Sequence, residues 1–137
     1  MRLLLFVFLT VALSACVKNN IPIEQAKDVP PERILSSQLT QADSNTGTIT
    51  LVREGQLFEA LCTTKIFIDS QAIADMALGE KMKLQLPEGR YALSVWPSAF
   101  CGGGLSNEVI SVVKGQNKVY RVGYGVDGIY RLVHSDF

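Results

Sequence analysis

The chain lacks any concentration of charge. Its 13 Lys/Arg balance 13 Asp/Glu, the formal net charge is zero, and only 19% of residues are charged. No Lys/Arg stripe forms, which argues against a nucleic-acid partner, because such a partner needs a basic footprint. Histidine is scarcer still: His134 stands alone and no Cys-x-x-Cys occurs, so neither a metal site nor any other cofactor is expected. The glycine triplet Gly102-Gly103-Gly104 is followed by Leu105-Ser106-Asn107 rather than Gly-Lys-Ser/Thr, which removes a Walker-type phosphate loop. The apolar run from Leu3 to Ala12 stops well short of the roughly 20 residues that a transmembrane helix requires. At 137 residues there is room for one domain.

The N terminus carries an export pattern. Met1-Arg2 supplies one positive charge, the apolar run follows, and Leu13-Ser14-Ala15-Cys16 closes it with small residues before a cysteine. A charged start, an apolar stretch and a small-residue cleavage region are the parts of a secretory signal. A buried core helix would show polar positions at helical spacing, and this run has none. The four residues Leu13-Ser14-Ala15-Cys16 resemble the lipobox of bacterial lipoproteins at every position. That resemblance implies diacylglyceryl transfer to the Cys16 sulfur, cleavage after Ala15 and acylation of the new amino terminus. A multi-chain anchor holds stably where a single acyl chain does not. Val17 and Lys18 follow the cysteine, so the Asp that commonly retains Gram-negative lipoproteins in the inner membrane is absent. The resemblance therefore points to the inner leaflet of the outer membrane, facing the periplasm.

Residues 1–15 are thus expected to form the signal peptide, 16–46 a lipid-anchored linker and 47–137 the domain. The linker is rich in Pro, Asn, Gln and Ser and has little sustained periodicity, as a tether does; the alternative is a segment partly packed on the domain. A short helix over residues 31–38 is compatible with Pro at a first helical turn. From Gly47 onward the pattern has period two. Strands are expected at 48–53, 65–68, 71–74, 81–86, 90–96, 108–113, 117–124 and 129–134, with turn chemistry at Asp69-Ser70, Pro87-Glu88-Gly89 and Lys114-Gly115-Gln116. Many short strands with turns between them predict an all-β sandwich or barrel rather than βαβ units.

Within this pattern, Ile66-Phe67-Ile68-Asp69, Gln71-Ala72-Ile73-Ala74, the alternating Lys81-Met82-Lys83-Leu84-Gln85-Leu86 and Pro87-Glu88-Gly89-Arg90-Tyr91 resemble the PEGA-type domain and a related family of bacterial lipoprotein domains. Arg90 departs from the Ala of the name-giving motif, and Ser70 stands where many relatives have Gly. The resemblance implies a small transthyretin-like or immunoglobulin-like β-sandwich with an envelope role. It carries no shared catalytic residues to transfer.

Once Cys16 is committed to lipid, Cys62 and Cys101 remain in a compartment that permits disulfides. Either they bridge, closing a loop worth about 4 kcal/mol on the chain-entropy model, or they are two buried thiols; the even count favours the bridge. A nucleophilic Cys101 with His134 as base is the enzymatic alternative, but a lone strand histidine is more often structural. Tyr91, Tyr120, Tyr124 and Tyr130 sit on expected strands and belong mostly to the core. Trp96 and Phe100, beside Gly102, Gly103 and Gly104, form the candidate binding loop between Pro97 and Asn107. Two accounts of it stand: a binding edge pinned at Cys101, or rings that cap the core while the glycines turn the chain. The expected function is a non-enzymatic, membrane-anchored envelope module that binds an envelope protein or polymer. The alternative is an accessory or immunity-type lipoprotein that inhibits a periplasmic enzyme.

Overall fold

The computed structural model describes residues 20–55, 59–125 and 127–135. Cys16 and its lipobox lie outside the described residues. Among the described residues nine strands form two sheets: β1 (Lys27–Asp28), β2 (Thr46–Arg53), β3 (Thr64–Ile68), β4 (Gln71–Met76), β5 (Glu80–Pro87), β6 (Gly89–Pro97), β7 (Ser106–Val112), β8 (Asn117–Tyr124) and β9 (Tyr130–Ser135). One sheet runs β1-β5-β2-β8-β9 and the other β4-β3-β6-β7. They face each other as the all-β sandwich that the period-two patterning predicts.

The alternation decides which side chains meet between the sheets. Strand β5 buries Met82, Leu84 and Leu86, while Lys83 and Pro87 stay exposed. Strand β6 buries Leu93 and Val95 on its inner face. With Ile49, Leu51, Ile66 and Ile110 they form a continuous core. One side chain in this size class adds about 1.5–3 kcal/mol when fully buried. Tyr120 and Tyr130 are buried in the same core, and Tyr91 and Tyr124 pack against it.

Strand β2 does not alternate in burial. From Ile49 to Arg53 every residue is buried, because both faces of this strand are covered. It lies in the middle of its sheet, antiparallel to β5 and parallel to β8. Its inner face carries Ile49 and Leu51. On its outer face Val52, with Val119 of β8, packs under Ala26, and Ile21 and Ile23 pack against the same cluster.

That cover decides between the two readings of the linker. The free tether is the reading that fails, and residues 20–46 follow the alternative and pack on the sandwich. Ile21 donates its N–H to Glu54 and accepts from Arg121, and Lys81 reaches the Ile23 carbonyl at 3.1 Å. Strand β1 then pairs with the start of β5 in parallel. Val29 enters the main core, Arg33 pairs with Glu80, and Ile34 bridges to Ala74. In place of the helix expected over 31–38 there are two short 3-10 turns, Pro31–Arg33 and Ser37–Thr40. The polar composition hides a few apolar residues, each placed where the sheets leave a face uncovered.

Candidate functional site

The strand directions gather particular loops at each end of the sandwich. At one end, called here the loop pole, lie the connections after β2, between β4 and β5, between β6 and β7, and between β8 and β9. Hydrogen bonds across this pole fix the grouping. The Tyr124 hydroxyl, at the end of β8, shares its hydrogen between the carbonyls of Cys101 and Gly102, at 2.7 and 2.6 Å. The Tyr130 hydroxyl, at the start of β9, bonds to Thr64 Oγ1 at the start of β3.

Beneath the loops is a buried polar layer. Arg53 is fully buried and donates through Nη1 to the Cys62 carbonyl at 2.8 Å. Glu59 is buried in the same loop, and a Cβ on Gly55 would strike its carboxylate. Burial pushes the Tyr130 hydroxyl above its ordinary pKa, against the opposing effect of the Thr64 hydrogen bond and of Arg53. Burial also raises Tyr124, helped by the negative charge of Glu59 and opposed by Arg53. Two buried charges of opposite sign therefore act on the hydroxyl that holds the Cys101 loop. Burying a charge is costly unless an opposite one offsets it.

Cys62 and Cys101 are joined in a disulfide, with Cα atoms 6.0 Å apart and a sequence separation of 39. The bridge ties the β2–β3 loop to the β6–β7 loop. It also consumes the Cys101 thiol, and His134 lies on β9 opposite Tyr120 with the two rings 5.0 Å apart. The structure does not bring a thiol and an imidazole together. Among the described residues no group of three or more His, Cys, Asp or Glu is placed to hold a metal ion.

The expected binding-loop residues separate into two kinds. Phe100 is 98% exposed and Trp96 is 53% exposed, so neither ring caps the core. Gly102 and Gly103 do the turning. Their φ angles of 64° and 98° lie in the left-handed region, and a Cβ on Gly103 would press on Pro97 and Tyr130. Gly104 has open space around it and no such angle. The strand residue Trp96 faces away from the core and lines, with Thr63, Lys65, Asp75 and Ser98, an open depression of about 300 Å³.

The sequence does not single out the other exposed apolar residues of the pole. Leu61 is 93% exposed, beside the disulfide, and Leu105 and Ile129 are each 55% exposed in the neighbouring loops. In the sequence Leu61 is an isolated apolar residue, Leu105 lies in the loop between Pro97 and Asn107 and Ile129 opens the strand expected at 129–134, and nothing in their spacing announces that they share one end. Sparse local charge is the only signal: residues 98–105 contain no charged side chain.

No family model and no curated protein sequence matches this chain. Among solved structures the chain is similar to one described as the NMR structure of the protein from Eubacterium rectale. The identity is 10%, the match covers 71% of this chain and 95% of that one, and the TM-score is 0.46; a likeness at this level carries no functional argument.

Proposed function

We propose that this protein is a lipid-anchored, non-enzymatic module of the bacterial cell envelope, held by Cys16 at a membrane that faces the periplasm. On this reading it uses the loop pole for contact with an envelope component. The observation that carries the reading is the pole itself: large apolar side chains exposed on loops that a disulfide and the Tyr124 hydroxyl hold in place. Exposed apolar clusters on a folded domain mark contact surfaces. A disulfide suits an exported protein, and Leu13-Ser14-Ala15-Cys16 supplies the export and lipidation pattern. The decisive experiment is metabolic labelling with a palmitate analogue. Label is expected on the wild type and absent from Cys16→Ser, which should also remain uncleaved. Equal label on both would end the lipoprotein assignment.

A second reading, an inhibitor of a periplasmic enzyme, draws on one observation. Phe100 projects from a disulfide-pinned loop, the form in which a rigid inhibitory loop enters a cleft. Co-capture of an envelope hydrolase from native membranes would favour it.

A further inference from the structure

The described chain enters at the loop pole. Ile21 is held by Glu54, which follows β2, and by Arg121 of β8. Its side chain also sits near Gly79 in the β4–β5 turn. From there the chain runs away from the pole as β1, parallel to the start of β5. Cys16 precedes Asn20 by four residues, which span at most about 14 Å even when fully extended. A tether over all of residues 16–46 could have reached on the order of 100 Å, and the domain could then have faced any direction. With residues 20–46 packed down, that freedom is gone. The anchor is confined to the neighbourhood of the pole that exposes Leu61, Phe100, Leu105 and Ile129.

The charge distribution agrees. At the loop pole Glu54 pairs with Arg121, Asp127 with Arg131 and Lys65 with Asp75 at 3.5 Å, and Glu59 is buried, while Glu24 and Lys27 on the entering segment are exposed. The opposite pole exposes Asp43, Asp69, Glu88 and Lys114. The two disulfide-linked loops, 59–63 and 98–105, therefore present apolar side chains with no exposed charge, unlike the opposite pole. Trp96 sits at the rim of the apolar end, and Trp is favoured where membrane meets water.

We infer that the component contacted by the loop pole is the lipid surface of the membrane that holds the anchor. Leu61 and Phe100 enter the headgroup and acyl boundary, and the pole carrying Glu88 and Lys114 points into the periplasm. This inference rests on the lipoprotein reading for the position of the anchor. It extends that reading by giving the domain a fixed orientation and a second membrane contact besides the acyl chains.

The chain has one tryptophan, so Trp96 reports the answer. The full mature lipidated protein is reconstituted in vesicles of phosphatidylethanolamine and phosphatidylglycerol with brominated acyl chains. Quenching of Trp96 emission is expected, together with its loss in the Leu61→Ser, Phe100→Ser double variant, which keeps its fold because both side chains are exposed. Trp96 left unquenched by bromine in the wild type would overturn the inference. In native envelopes, a photoreactive benzophenone in place of Phe100 should form lipid adducts; adducts to a single protein would assign the loop to a protein partner instead. Palmitate labelling separates the two readings. A labelled but unquenched protein keeps the anchor and loses the docking. An unlabelled protein that is quenched when added to vesicles loses the anchor and keeps the docking.

Discussion

Phe100 and Leu93 carry similar apolar side chains a few residues apart, and the structure assigns them opposite duties. Leu93 lies on β6 inside the core, while Phe100 stands almost free of the protein. Truncating a buried leucine removes its transfer energy and leaves a cavity, at a cost of about 2–5 kcal/mol. Truncating an exposed side chain changes stability by no more than about 0.5 kcal/mol. Phe100→Ala is therefore expected to leave the melting temperature nearly unchanged, and Leu93→Ala to lower it sharply, both read by thermal denaturation. A large loss for Phe100→Ala would return that ring to the core. From sequence alone the two roles of the loop rings stood level, because composition does not tell an aromatic that caps a core from one that leaves it. The glycines beside them were more legible. Three in a row signal unusual backbone angles, and two of the three, Gly102 and Gly103, have them.

At the scale of the element, the period-two segments were readable because burial on one face leaves its mark on every second residue. Strand β5 is the clear case, with Lys81, Lys83 and Gln85 set between Met82, Leu84 and Leu86. The segment over residues 20–46 was not readable as packed structure, because what holds it is not periodic. It contributes isolated side chains such as Ala26, Val29 and Ile34 to faces built by distant strands. The burial of Val52 was hidden for the same reason: a residue on an outward face looks solvent-exposed until its cover is known. A packed segment and a tether differ in a measurable way. Ala26 is buried against Val52 and Val119, so Ala26→Asp would place an unpaired carboxylate there. The expected cost is on the order of 2–3 kcal/mol, measured by chemical denaturation of the protein. In a free tether the same substitution would change nothing.

For the whole molecule, the architecture is two sheets whose loops at one end are cross-linked and whose loops at the other end are not. The Cys62–Cys101 bridge encloses β3 to β6, so it constrains the unfolded chain over a long loop. With 39 residues of separation, the chain-entropy model gives a contribution of about 4 kcal/mol. A domain of this size is stable by only about 5–15 kcal/mol in total, so the bridge is a large fraction of the margin. The double variant Cys62→Ala, Cys101→Ala is expected to lose about 4 kcal/mol. The loss should act mainly through the unfolded state, with the core strands unchanged in their hydrogen-exchange pattern. Locally the effect should differ: the Cys101 carbonyl keeps its bond from Tyr124 and Ser98 keeps its N–H bond to the Thr63 carbonyl, yet the covalent tie across the loop is gone. Amides of residues 98–105 should then exchange faster while those of β6 and β7 stay protected. Equal stability with and without the bridge would mean that the noncovalent contacts of Arg53, Tyr124 and Tyr130 suffice to fix the pole, and that the disulfide serves the chain in some way other than stability.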